Sequence, residues 1–483
     1  MNENALVRIA GDVRVSTPPG IEAMTRYVLL EQEDWFEDEM AFVRRHLRPG
    51  MRVLDIGANY GVYTLTAARL VGPTGRVWAF EPSSLPHRHL TESRAANRFD
   101  AVTIVNAALS DRTGRARIAV NANPELNALI EGTNDAGIAN EDVELTSLDA
   151  CARGLGIDDI AFVKLDAEGH EPNILAGGAR FFAENSPLVM FEIKAGATFN
   201  LGLVASMAAI GYGVYRLIPG IGQLAPFDSA RVDPYQLNAF ACKPDRAARL
   251  REDGLLAGDA PRESHPPHEE DDDAWSAHAR AYPYANRLEA DWRAQAPGRP
   301  EARAYRRALD SYARSTGSPP ADRHGHLVRS FSGLQALLQQ APSLPRLLSF
   351  AAVAADLGQR ALAVQALDVL AKHVQSGDSF DVGEPFVVGG AYASIDPGDD
   401  LGRWVASAIV AACQKLLAFS SYFTGQSTLP ELEELRTSGI QTPEMERRRQ
   451  LIRLRFGLQA RPEPSPLLRT KTADNLNPEF WCA

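Results

Sequence analysis

From about residue 52 to residue 244, short β-rich runs alternate with helix-length amphipathic segments, and few folds accept that alternation. Each strand must return to its neighbour through a helix, which gives a parallel sheet with crossover helices. The predicted strands are "RVLDI" (52–56), "GRVWAF" (75–80), "VTIVNA" (102–107), "IAFVKLD" (160–166), "PLVMFEI" (187–193), "GYGVYRLI" (211–218) and "LNAFACK" (237–243). Their near-continuous apolarity suits strands covered on both faces. Helices are expected near 61–71, 84–97, 171–183 and 199–209, and another over 32–47 ahead of the first strand. "RARIAV" and "VELTSL" read as extra edge strands around a polar loop.

Past residue 243 the pattern changes. "PRESHPPHEEDDD" (261–273) combines prolines with consecutive acids and is too charged to bury itself, so 246–273 reads as a linker. From 274 to 483 the chain is rich in Ala, Leu and Arg at helical spacing, which predicts a mostly α second half. Within it, 346–374 has two apolar helical faces meeting at Leu357-Gly358, like one helix pair of a tetratricopeptide-type repeat. A second copy at a 34-residue period is not evident. The end, from "LQARPEPSP" onward, reads as a tail draped on the surface.

At 483 residues, with 45% hydrophobic residues, the chain has material for two or three cored domains. Its net charge of -11 gives no general positive field for nucleic acid or anionic lipid. Cys151, Cys242, Cys413 and Cys482 lie far apart without metal-ligand spacing, which suggests reduced thiols in a bacterial-type cytoplasm. Neither a secretory leader nor an apolar run of about 18 residues is evident, so a cytoplasmic location is expected.

The first strand ends in "DIGANYGVYT", where Gly57 and Gly61 let a ligand approach the backbone and a helix start offers N–H donors. Asp55 would repel a pyrophosphate and suits a ligand with cationic character. The spacing is G-x-N-x-G, not the dinucleotide fingerprint G-x-G-x-x-G. At the end of the second strand, Glu81 is placed to accept both hydroxyls of a ribose. A nucleoside that carries an amino acid is S-adenosylmethionine.

A second polar cluster follows the fourth strand in "FVKLDAEGHEPNIL" (162–175), with Lys164, Asp166, Glu168, His170 and Glu171. Lys164 and Asp166 share a strand face, and Asp166 falls at the crevice beside the first strand. Glu192, ending the fifth strand, allows Asp166, Glu168 and Glu192 to converge as hard oxygen ligands for Mg²⁺ or Ca²⁺. Glu171 reads better as an acid complementing a helix start. His170 is either a general base for an acceptor hydroxyl or a surface histidine at that helix start.

Together "DIGANYGVYT", "AFEP", "VNAALSDRTG", "ELTSLDA" and, most distinctively, "VKLDAEGHE" followed by "FEI" resemble the FkbM family of S-adenosylmethionine-dependent methyltransferases over about 30–243. The resemblance implies a class I, Rossmann-like fold: a doubly wound, mainly parallel seven-stranded sheet whose last strand is antiparallel, within a domain spanning 1–245. It implies that Asp55, Gly57, Ala58, Asn59 and Gly61 surround the methionine part of the cofactor. Glu81 and Pro82 would lie at the ribose, Asn106, Ala107 and Ala108 would flank the adenine, and Asp166 would lie between cofactor and acceptor. By the same resemblance Asp166 and Glu192 are the positions of a divalent metal in some related sugar and catechol O-methyltransferases.

The expected activity is methyl transfer to a hydroxyl of a sugar, a glycan or a related hydroxylated metabolite, with Asp166, His170, Glu168 and Lys164 as candidate catalytic groups. A second expectation makes the helical half an interaction module, binding a protein partner or a second copy, with the nucleoside fold regulatory. A nucleic-acid methyltransferase is disfavoured by the acidic balance and by "DAEGHE" standing where an Asn-Pro-Pro-Tyr-like tetrapeptide would be.

Overall fold

The first predicted strand forms as Arg52–Ile56 (β1), buried at every residue after Arg52. A computed structural model, which describes residues 6–121, 139–195, 198–258, 273–294, 299–377, 379–473 and 475–482, places this strand inside an eight-stranded sheet. The other strands are Arg76–Phe80 (β2), Val102–Val105 (β3), Phe162–Leu165 (β4), Leu188–Glu192 (β5), Gly213–Ile218 (β6), Gln223–Pro226 (β7) and Asn238–Cys242 (β8). Their order across the sheet is β7-β6-β8-β5-β4-β1-β2-β3. Neighbours from β3 through to β5 are parallel, whereas β8 is antiparallel to β5 and to β6, and β7 is antiparallel to β6.

The sheet thus has one strand more than the seven expected and is mixed. The addition, β7, is four residues long, lies at the edge and ends in Pro226. A proline is tolerated there because an edge strand leaves its N–H side unpaired.

Chain order reverses between β1 and β4, which are adjacent, so the crevice outside their carboxyl ends is where such a sheet binds ligands. Helices Met24–Gln32 (α1), Asp38–His46 (α2), Val62–Val71 (α3) and Ser84–Asn97 (α4) form around this half. The helix expected over 171–183 is split at Gly178 into Glu171–Gly177 (α5) and Ala179–Glu184. "RARIAV" and "VELTSL" fall in strands Gly114–Ala119 and Asn140–Ser147, which join Ala108–Ser110 in a separate three-stranded sheet. A hairpin, Leu6–Ile9 with Val13–Ser16, opens the described chain.

The second half is helical. The pair expected over 346–374 is present as Leu344–Asp356 and Arg360–Gln375, with Gly358 in the left-handed region at the turn. Its neighbours differ in length: Pro300–Gly317 and Pro320–Gln340 precede it, and Leu401–Leu416, Leu429–Ser438 and Pro443–Arg455 (α6) follow. Among the described residues these helices show no 34-residue period.

Two boundaries differ from expectation. Residues 246–258 are not linker: helix Pro244–Glu252 begins the segment, and Leu250, Leu255, Leu256 and Ala257 are buried. The acidic run 261–273 lies outside the described residues except for Asp273. The C-terminal segment does not drape over the surface, because Trp481 is 1% exposed and packs in the same core as Val7 and Val15. Asn477 fastens it, accepting from Arg8 N at 2.8 Å and donating to Arg8 O at 2.9 Å. No helix among the described residues is long and apolar enough to cross a membrane.

The halves are joined through buried charge. Glu31 and Glu33, at the end of α1, meet Arg448 at 3.2 Å and Arg447 at 3.5 Å, and all four side chains are at most 5% exposed. Glu31 also accepts from Ser420 Oγ and Ser421 N, each at 3.0 Å. Removing one partner of such a pair leaves a desolvated charge, which costs about 3–5 kcal/mol. Glu31→Gln should therefore lower unfolding free energy in denaturant melts by about that amount, and Glu31→Leu combined with Arg448→Met should recover much of it. A melt of Glu31→Gln that coincides with wild type would contradict the role given to this pair.

Candidate functional site

The loop after β1 is shaped by left-handed backbone at Gly57 (φ 77°), Asn59 (φ 51°) and Gly61 (φ 85°). At Gly57 the reason is also steric: a Cβ there would stand 1.7 Å from the carbonyl oxygen of Asp166. At Gly61 a Cβ would lie 2.2 Å from Leu90 Cδ1, a contact that the leucine could relieve by turning aside, so the left-handed φ is the stronger demand for glycine there. The backbone N–H groups of Gly57 and Ala58 both donate to Phe80 O at 3.0 Å, which ties this loop to the end of β2.

Glu81 completes that tie. One carboxylate oxygen accepts from Asn59 N at 2.7 Å and the other from Ser83 N at 2.8 Å. Burial pushes its carboxyl up to about 7, and those amide donors oppose the shift. The Ser83 side chain also bonds this carboxylate, so of its roughly four acceptor positions one is left for a ligand hydroxyl. Asn106 plays a different part from a cavity wall: its side-chain amide donates to the carbonyls of Glu81 and Pro82, both at 2.9 Å, and fixes the turn. Ala107 and Ala108 do line the cavity.

Asp55 lies a layer beneath the loop, 1% exposed, with Thr64 Oγ1 donating to one oxygen and the other buried without a hydrogen-bond partner. Burial raises its carboxyl, and the opposed ammonium of Lys164 lowers it. Asp55 and Lys164 are register partners on β1 and β4.

At the end of β4, Lys164 Nζ is 2.7 Å from Asp166 Oδ2, and the lysine is 8% exposed. Burial would strip its proton, but the charges of Asp166, Asp55 and Glu37 outweigh that and hold it above the ordinary lysine range. Lys164 is therefore a fixed cation and cannot act as a base at neutral pH. Glu37, from the segment between α1 and α2, accepts from Tyr63 OH at 2.5 Å, and burial raises its carboxyl.

The turn after Asp166 places Glu168 and Gly169 in the left-handed region. Buried Glu171 accepts from Ala167 N at 2.9 Å and Gly169 N at 3.2 Å, so it holds this turn and leaves the crevice to its neighbours. Oxygens of Asp166, Glu168 and Glu192 all lie within 4.8 Å of one another. Burial, then the charges of Asp166, Glu168 and Glu37, push the Glu192 carboxyl up to about 9. His170 Nε2 is 3.0 Å from Ser110 Oγ, and that hydroxyl donates to Asp111 Oδ1 at 3.1 Å. His170, Ser110 and Asp111 thus form a hydrogen-bonded chain at the edge of the cavity.

These loops enclose a cavity of about 680 Å³. Gly57 to Gly61, Glu81, Pro82, Ala107 and Ala108 line one side of it, and Lys164, Asp166, Glu168, His170 and Glu192 also face it. Asp55 and Asn106 support the wall from behind. The sequence reading missed Glu37 and the aromatic rim made by Trp35 and Phe36 with Phe419, Tyr422 and Phe423 from the helical half. Their only signals are the aromatic pairs in "DWFED" and "FSSYF", which a helix or a core would equally explain.

The doubly wound mixed sheet, with a glycine loop, Glu81 and a polar cluster at its switch point, has the fold of a class I methyltransferase-like domain. Residues 55–212 match the family model described as Methyltransferase FkbM domain, which covers about a third of the chain. No curated protein matches the chain.

Among solved structures, it is similar to methyltransferase FkbM from Methylobacillus flagellatus, at 17% identity and TM-score 0.28, over 40% of this chain and 43% of that one. The match thus spans less than half of that protein. Fibrillarin from Aeropyrum pernix, with natively bound S-adenosyl-L-methionine, is similar at 11% identity and TM-score 0.26, over 42% of this chain and 73% of that one. A SAM-dependent O-methyltransferase from Thermotoga maritima is similar at 15% identity and TM-score 0.25, over 50% of this chain and 77% of that one.

The raised Glu81 carboxyl sets a pH dependence. A ligand that donates a hydroxyl to it needs the ionised form, which grows from about a tenth to about nine-tenths of the population between pH 6 and 8 when the group titrates near 7. S-adenosylhomocysteine should then bind roughly tenfold more tightly at pH 8 than at pH 6. Glu81→Gln should weaken binding and flatten that slope, as read by titration calorimetry. An equal slope in both proteins would remove Glu81 from the ligand site.

Proposed function

We propose that the chain is an S-adenosylmethionine-dependent O-methyltransferase whose acceptor is a hydroxyl of a sugar, a glycan or a related hydroxylated metabolite. The observation that supports this best is the position of His170 and the three carboxylates in one cavity with Glu81 and the glycine loop. When bound, the cofactor supplies a methyl group made electrophilic by its sulfonium.

The residues fit such a ligand. Gly57 to Gly61 line the cavity where the methionine part would lie, and Glu81 faces it as an acceptor for the ribose. Ala107 and Ala108, held by the Asn106 bridge, flank the base. Asp166, fixed by Lys164, provides negative charge beside the sulfonium position.

A sugar hydroxyl is a weak nucleophile and needs its proton taken. His170 is the better candidate for that step, since its imidazole lines the same cavity as the three carboxylates. Glu168 is the other acid within reach of the same space. Asp166, Glu168 and Glu192 offer hard oxygen donors that suit Mg²⁺ or Ca²⁺, and an ion there would lower the pKa of a bound hydroxyl. The location that fits this chemistry is the cytoplasm, where the cofactor is made.

The test is transfer of a tritiated methyl group from S-adenosylmethionine to neutral glycans and glycosides. Asp166→Ala should abolish it while S-adenosylhomocysteine still binds within a few-fold of wild type. His170→Gln should lower kcat by roughly 10²- to 10⁴-fold with acceptor KM little changed. Undiminished turnover in Asp166→Ala would contradict the assignment.

A further inference from the structure

The cavity has a wall that the nucleoside-binding half does not make. Phe419, Tyr422 and Phe423, from the helical half, meet Trp35 and Phe36 across its mouth. The Phe36 ring is 5.3 Å from Phe419 and 6.5 Å from Phe423 between centroids. These rings are not a finished core: Phe423 is 53% exposed, although it sits beside four other aromatic side chains.

The segment that carries them is held with unusual care. Arg360 lies 4.2 Å above the Phe419 ring and donates through Nε to Leu416 O at 2.8 Å. Arg455 lies 3.8 Å above the Tyr422 ring and donates to Tyr422 O at 2.8 Å. Between the two rings, Ser420 and Ser421 are pinned to buried Glu31. Two stacked guanidiniums and a buried carboxylate thus fix aromatic side chains that line the cavity, of which Phe423 is the exposed one.

The charge around this wall is one-sided. Five acids line the cavity, namely Glu37, Glu81, Asp166, Glu168 and Glu192, against Lys164, Lys194 and His170, although burial moves Glu37, Glu81 and Glu192 toward their neutral forms. Lys164 is already paired with Asp166. The Lys194 ammonium is bonded to Pro234 O and lies 5.9 Å from the Phe199 ring. An anionic group entering here would meet more acids than cations, with Lys194 as the one lysine that none of these contacts pairs with an acid.

From this wall and this charge we infer that the helical half supplies the acceptor platform of the site. The acceptor stacks the C–H face of a neutral or cationic ring polyol, such as a pyranose, on Phe423 and Phe419, and acceptors bearing carboxylate or phosphate are refused. Aromatic rings favour apolar faces and leave the hydroxyl edge free for hydrogen bonds. The inference rests on the methyl-transfer reading above for what happens to that hydroxyl, but the platform itself can be tested by binding.

Saturation-transfer-difference NMR on the full chain, loaded with S-adenosylhomocysteine, would use methyl β-D-glucopyranoside, glucosamine and glucuronate as probes. The expected result is transfer to ring C–H protons of the first two, with glucuronate at a third of that signal or less. Phe423→Ala, which changes an exposed side chain, should cut the glucoside signal at least threefold with an unchanged melting temperature. Arg360→Gln, which touches the platform only from behind, should reduce it by a smaller factor.

Equal transfer to glucuronate, or an undiminished signal in Phe423→Ala, would overturn the inference. If S-adenosylhomocysteine binds and no glycoside receives transfer, the platform is wrong while the cofactor site stands. If S-adenosylhomocysteine fails to bind and glucoside transfer still depends on Phe423, the platform stands and the methyl-transfer reading falls.

Discussion

The approach of the β1 loop to the end of β4 is the constraint on which the site depends. Gly57 sits where any side chain would overlap the carbonyl of Asp166. That contact fixes the distance between the glycine loop and the polar cluster, and it occurs where chain order in the sheet reverses. Lys164 works on the same junction from below, since it faces Asp55 across the register and pairs with Asp166. Two strands that must both be buried thus end in groups that can be neither moved apart nor rotated away, which is how a preorganised site is held to geometry.

A second constraint joins the halves of the molecule. Burying Arg447 and Arg448 against Glu31 and Glu33 is expensive in desolvation and pays only if every remaining lone pair finds a donor. Here the serines after Phe419 and the backbone of the C-terminal segment supply most of them, Glu33 accepting from Leu476 N at 2.6 Å, while its other oxygen has only the Arg447 ion pair. The ends of the chain, the helical half and the segment before β1 are therefore parts of one wall. This explains why a helical half outside the family match still bears on the crevice.

What the sequence made legible follows the physics of each element. The strands β1, β2, β4 and β5 were readable because both faces are buried, so their runs are largely apolar and end abruptly in polar residues. The glycine loop, Glu81, Asp166 and His170 were readable for the same reason: polarity at the end of a buried strand demands an explanation. β7 was not, because an edge strand of four residues ending in proline carries no comparable pattern. Trp481 was missed because its burial comes from the N-terminal hairpin, hundreds of residues away in sequence. Glu37 and the aromatic rim were hidden likewise, since their meaning depends on a contact between distant segments and not on local spacing. Lys164 was placed correctly on the strand, yet its role as a fixed cation follows only from the three acids around it.

The most direct test of the central claim, that the switch-point cavity is a nucleoside site, is titration calorimetry of S-adenosylhomocysteine into the full chain, in EDTA and again with Mg²⁺. The account predicts one micromolar site per chain in both conditions, tightened by Mg²⁺ if Asp166, Glu168 and Glu192 hold an ion. Absence of binding heat, together with an unchanged melting temperature at saturating ligand in either buffer, would contradict it.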